Sequence, residues 1–182
     1  MRNFLNAISS AAVVAAALIS VPAMAATQGT LGATSTGTVS ITASVPNRAR
    51  ITGLEDVTFA SQDPTSAASN AQDVCVWSNT ATKGYTVTAT GSGASNAFTL
   101  ANGALTVPYS VSWAASSGQS SGTGLTAGSA SAGLVSAASQ QICSSGPTNS
   151  ASLIVGISTA DLGGMQAETD YTGTLTLVVT PQ

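Results

Sequence analysis

The chain has 182 residues, of which 6% are charged and 4% aromatic, with no histidine and a formal net charge of −3. An ordinary soluble domain carries roughly 25% charged residues, so charge is sparse here, yet a hydrophobic content of 43% still supplies a core rather than a charged disordered tail. Without histidine there is no imidazole base, no imidazole metal ligand and no Ser-His-Asp triad. The only cations, Arg2, Arg48, Arg50 and Lys83, are too few to track a nucleic-acid backbone. What remains is a secreted structural or binding domain that needs no cofactor.

Residues 1–25 read as a secretory signal peptide. Arg2 gives a positive start, Ala11 to Val21 is a largely apolar run, and Ala23-Met24-Ala25 places small residues where a signal peptidase inspects the chain. A membrane anchor needs about 20 apolar residues, and Asn6, Ser9 and Ser10 interrupt the stretch before that length. Cleavage after Ala25 leaves one domain's length of chain. No second long apolar run follows, so the remainder is expected to be soluble or assembled. Cys75 and Cys143 are the only cysteines. An even pair in an oxidising compartment predicts one disulfide, and the long loop it closes is worth about 4 kcal/mol in the chain-entropy model. A metal site is the weaker reading, because two thiols without histidine fall short of a ligand set.

Strand patterns then follow along the chain, and no stretch shows a 3.6-residue period. Val39, Ile41, Ala43 and Val45 alternate with Ser and Thr. Residues 60–71 are rich in Ser and Ala and read as loop or weak edge. Tyr85, Val87 and Ala89 alternate with Thr86, Thr88 and Thr90. Asn102-Gly103 lies between two alternating arms, the strongest short-range hairpin signal. As a two-residue loop it pairs Ala101 with Ala104, Leu100 with Leu105 and Phe98 with Val107. The second arm runs on through Tyr109, Val111 and Trp113, but Pro108 cannot donate to a ladder, which predicts an edge or a bulge there. Residues 114–131 are again Ser-, Gly- and Ala-rich loop. Leu153, Val155 and Ile157 form another strand, and Tyr171, Leu175, Leu177 and Val179 the last. Roughly seven to nine short strands with turns between them predict an all-β sandwich.

Catalytic chemistry finds little support. Glu55, Asp56, Asp63, Asp73, Asp161, Glu168 and Asp170 are scattered in turn-like contexts and read as solvated loop acids rather than a glycosidase pair. Abundant serine is not a nucleophile without a base. Trp77 and Trp113 are read as core or inter-sheet residues in preference to sugar-stacking platforms. The chain is not expected to be an enzyme.

Four segments carry a resemblance: TGTVSITASVP at 36–46, ITGLEDVTF at 51–59, LTVPYSVSW at 105–113 and YTGTLTLVVT at 171–180. In this order they resemble exported chaperone–usher fimbrial subunits, of the colonisation-factor type and of the spore-coat-U-like, archaic pilin type. The chain lacks a cysteine that spore-coat-like members carry near Arg48 or Arg50. The resemblance implies a major structural subunit with an incomplete immunoglobulin-like sandwich, its last strand missing. The N-terminal extension of the next subunit then fills the groove by strand addition. It also implies identical subunits, a periplasmic chaperone and an outer-membrane usher as partners. The place implied is a cell-surface fimbria, reached through the periplasm, that adheres to a host or abiotic surface. Residues 26–46 would be the extension and 47–182 the sandwich. Leu31, Ala33, Gly37, Val39, Ile41, Ala43 and Val45 fall on one parity and would be the donor row. Gly37 marks either a shallow pocket in the acceptor or a flexible joint, and the terminal strand is expected to leave no residues for a further one beside it. The competing readings are a self-contained secreted sandwich that binds a surface or carbohydrate, in which residues 31–45 are an ordinary first strand; a carbohydrate- or surface-binding tip adhesin of the same pilus system, for whose usual additional lectin domain the chain leaves little room; and a secreted hydrolase.

Overall fold

A computed structural model describes residues 25–144 and 149–182. The signal-peptide reading falls almost wholly on residues outside that range. The chain divides at Val45 and Pro46 into two units.

In the first unit Thr27 and Thr38 exchange two backbone hydrogen bonds, of 3.0 and 2.9 Å. Leu31 and Ala33 lie in a bend of the loop so closed. Gly37 belongs to this closure, since a Cβ there would stand 3.0 Å from the Thr27 carbonyl oxygen. Residues 39–45 belong to no sheet, and every residue from 25 to 45 is exposed. The alternation that reads as a strand in sequence has no ladder here.

In the second unit ten strands are named among the described residues, and all their pairings are antiparallel. They are β1 (Ala49–Thr52), β2 (Ala68–Ser78), β3 (Gly84–Gly91), β4 (Thr99–Asn102), β5 (Leu105–Pro108), β6 (Ser110–Ala114), β7 (Thr123–Gly124), β8 (Leu134–Val135), β9 (Ala151–Ile157) and β10 (Leu175–Pro181). One sheet runs β1-β2-β9-β6-β7, a second β10-β3-β8, and β4-β5 is a separate hairpin. Inward side chains of both sheets share one core: Val74 and Val76 of β2, Tyr85, Val87 and Ala89 of β3, Val111 and Trp113 of β6, and Leu153 and Val155 of β9. The fold is therefore an all-β, immunoglobulin-like sandwich. Threonine and valine alternation dictates it, because each strand turns an apolar row into the shared core while the other row faces out, to water or to the loops that cover it.

Three sequence expectations need correction. The hairpin forms, but its register is Asn102↔Leu105, Leu100↔Val107 and Thr99↔Pro108. The loop is Gly103-Ala104, with φ of +57° at Gly103 and no positive φ at Ala104. A turn that needs positive φ only at its first central position accepts Gly there and Ala next, so Asn102 stays in the ladder. The shift of two keeps every side chain on its predicted face, and Phe98 now meets Tyr109 with ring centroids 5.6 Å apart. The segment 60–71 is not all loop, because Ala68 to Ala71 open β2 and pair with β9. A five-residue helix, α1 (Thr159–Gly163), was not foreseen. Ser158 caps it by accepting from the Asp161 N–H at 3.1 Å, and one turn is too short to print a period.

Pro108 behaves as expected of a residue that cannot donate to a ladder. The arm changes sheets at Pro108-Tyr109, leaving β4 for a new partner in β9. Loops cover the outer face of the larger sheet. Ser152 Oγ of β9 lies 2.6 Å from Asp73 Oδ1 and 3.0 Å from Ser116 O, so its one proton is shared between the two acceptors. On the same outer face Cys75, bonded to Cys143 with Cα atoms 5.9 Å apart, packs with Ala138 and Trp77.

Candidate functional site

β10 stands at the end of its sheet and pairs with β3 over seven residues, from Leu175↔Gly91 to Pro181↔Tyr85. Its inward residues Leu175, Leu177 and Val179 are only half-buried, while Tyr85, Val87 and Ala89 on β3 beside it are wholly buried. Both rows point into one core, and β10 has a strand neighbour on one side only, whereas β3 is flanked on both. A sheet edge also presents unpaired N–H and C=O groups, which template pairing with another chain.

β1 forms the matching edge of the larger sheet and lies against β10. Its ladder with β2 ends at Thr52↔Cys75, and Gly53 follows with φ of +82°, a conformation only glycine takes freely. Beyond it the backbone is held by a side chain instead of a strand. The Gln72 amide accepts from the Glu55 N–H at 2.8 Å and donates to the Glu55 carbonyl at 3.0 Å. Val57 and Phe59 thereby turn toward the core and stay half-buried, as does Ile51. Two half-buried apolar rows, Ile51-Val57-Phe59 and Leu175-Leu177-Val179, thus occupy the edges of the two sheets.

The donor row anticipated in sequence is exposed throughout, with Ile41 at 89% and Val45 at 81% of full exposure. Leu31, Val39, Ile41 and Val45 are thus apolar side chains left in water.

The polar candidates occupy other places. Glu55, Asp56 and Asp73 line one hollow beside β2, and Asp73 is a strand residue rather than the loop acid expected. Its Oδ1 is occupied by Ser152 and by the Gly118 N–H at 2.7 Å. Asp63 accepts from the Thr65 N–H and hydroxyl, which hold its carboxyl below the usual carboxylate range. No group of three His, Cys, Asp or Glu side chains suited to a metal occurs among the described residues.

Trp113 is a core residue, as anticipated. Its Nε1 donates to the Tyr85 hydroxyl at 3.2 Å across the two sheets. Tyr109 is buried as well, but its hydroxyl has no partner among the described residues. The two phenols should therefore respond in opposite directions. Tyr85→Phe leaves a buried indole N–H unpaired and should cost about 1–3 kcal/mol. Tyr109→Phe removes an orphan and should be neutral or stabilising by up to about 1 kcal/mol. Burial also holds both phenols above their ordinary value. The unfolded chain then loses its phenolic protons first, so stability falls as pH rises past about 10. Denaturant melts of both variants across alkaline pH check the order and the slope.

No protein-family model matches the chain, and no curated protein matches its sequence. Among solved structures the chain is similar to one in the crystal structure of the CsuC–CsuE chaperone–tip adhesion subunit pre-assembly complex, from archaic chaperone–usher Csu pili of Acinetobacter baumannii. The identity is 18% and the TM-score 0.39, over 74% of this chain and 40% of that one. The chain thus spans well under half the length of the chain it matches.

Proposed function

We propose that this protein is a structural subunit of an extracellular fimbria, assembled head to tail by donor-strand complementation. The observation that carries the reading is the half-buried row on β10 beside the wholly buried inward row of β3. In this reading a strand from an identical subunit, residues 31–45 with Val39, Ile41, Ala43 and Val45 as its main apolar contacts, lies along β10 and covers Leu175, Leu177 and Val179. Main-chain hydrogen bonds supply affinity and the alternate side chains supply fit. Each square ångström of apolar surface so covered is worth about 25 cal/mol. A subunit exported with this edge open needs a periplasmic chaperone to cover it and an outer-membrane usher to hand it on. The finished polymer serves adhesion to a host or abiotic surface.

Size-exclusion chromatography and circular dichroism of the exported chain with and without residues 26–45 test the reading. The shortened chain is expected to aggregate alone and to become a folded monomer when a peptide of residues 31–45 is added. A shortened chain that is soluble, folded and monomeric without peptide makes the sandwich self-contained and overturns the proposal.

A further inference from the structure

The Asn102-Gly103 pair has a chemistry of its own, independent of the assembly reading. Asn102 ends β4, is exposed, and is followed by a glycine at φ +57° with open space where a Cβ would stand. No side chain at residue 103 therefore obstructs approach of the Gly103 backbone nitrogen to the Asn102 side-chain carbonyl carbon. The Asn102 amide is also a fastener. Its Nδ2 donates to the Asp170 carbonyl oxygen at 2.7 Å. Beside it Ala101 and Thr172 exchange two backbone hydrogen bonds, of 2.8 and 3.0 Å. Gly173 lies so close to β4 that a Cβ would come within 2.9 Å of the Thr99 carbonyl, and Thr174 donates its N–H to Ser92 Oγ at 3.0 Å. The strap at residues 170–174 is thus fastened at its first residue by the very side chain that is chemically exposed, with backbone bonds at Thr172 behind it, and it leads directly into β10.

We infer that Asn102 is a site of spontaneous, enzyme-independent deamidation, and that its conversion unfastens the strap leading into β10. The Gly103 amide nitrogen gives up its proton to solvent and bonds to Asn102 Cγ. The Cγ–Nδ2 bond breaks and the amide nitrogen leaves as ammonia, closing a five-membered imide. Water then opens either imide carbonyl, to aspartate or to isoaspartate. The balance is one water consumed and one ammonia released, with no redox partner. Isoaspartate turns Cγ into a main-chain carbonyl and so removes the Nδ2 donor outright, and aspartate replaces that donor with a carboxylate that faces the Asp170 carbonyl oxygen, in a segment already carrying Glu168 and Asp170. Donation becomes repulsion. Isoaspartate adds a backbone methylene as well, which displaces the Asn102↔Leu105 pair that closes the hairpin.

The test is incubation of the exported, folded full chain at mildly alkaline pH without thiol, followed by ion-exchange separation and peptide mapping. A more acidic species is expected, with the mass gain at Asn102, mostly as isoaspartate. Its formation should be at least about tenfold faster than conversion of any other asparagine, because only Asn102 is followed by a residue without a Cβ. Conversion at Asn102 no faster than at Asn79 or Asn96 overturns the assignment. Hydrogen exchange on the separated species reads the second half. The Ala101 and Thr172 amides should exchange faster in the converted fraction, and equal exchange would show that the strap does not depend on Asn102.

Discussion

Ile41→Asp is expected to abolish assembly while leaving export and the fold of residues 46–182 intact. Ile41 is exposed in the single chain, so the substitution removes no core contact within it. In an assembled fibre the same side chain would lie against the half-buried row of β10, and an unpaired carboxylate buried there is costly enough to shift its own pKa or expel the strand. The acceptor counterpart is Leu177→Asp, on a residue whose neighbours Val87 and Ala89 are wholly buried. Both variants should give subunits that no longer elongate, read as loss of high-mass ladders on gels of unheated samples. Fusing residues 31–45 behind Gln182 through a flexible linker should give the opposite result, a stable monomer whose edge is covered in cis. Wild-type ladders from Ile41→Asp would remove residue 41 from the donor role.

Loss of the disulfide should produce the second large effect. The Cys75–Cys143 bond closes a loop of sequence separation 68, worth about 4 kcal/mol by the entropy of the unfolded chain. Against a total stability of about 5–15 kcal/mol for a small domain, that is a large share. The site is well supported otherwise. Ser136 Oγ donates to the Val76 carbonyl and accepts from the Ala138 N–H at 3.0 Å, which holds the loop against β2. A Cys75→Ala/Cys143→Ala double variant should therefore keep the fold and lose midpoint in denaturant. Reduction of the wild type should reach the same midpoint, and coincident midpoints for oxidised and reduced protein would contradict the estimate.

The sandwich was legible because its strands turn an apolar row to the core and a mostly small or polar row away from it. Tyr85-Val87-Ala89, Leu153-Val155-Ile157 and Leu175-Leu177-Val179 print that asymmetry as a period of two. The start of β2 was not legible. Ala68 to Ala71 read as loop from their small and polar composition, but pairing with β9 places them in the sheet, a tertiary override of local propensity. The hairpin was found but slipped by two, because an Asn-Gly pair signals positive φ without saying whether one or both residues adopt it. Half of the candidate edge, the β10 row, was visible as alternation. The other half was hidden, since Val57 and Phe59 are held by the Gln72 amide reaching the backbone of Glu55, and no periodicity encodes a side chain that substitutes for a strand.

The position of the disulfide also decides how the protein yields to force. All strands from β3 to β8 lie between Cys75 and Cys143, whereas β1, β9 and β10 lie outside. A pull applied at the two ends of the chain crosses from residue 75 to residue 143 through two sulfur atoms. The intervening segment, worth roughly 230 Å of extension at about 3.4 Å per residue, is never paid out while the bond holds. Unfolding under tension is then short and stiff, confined to the outer strands, and only reduction releases the remaining length.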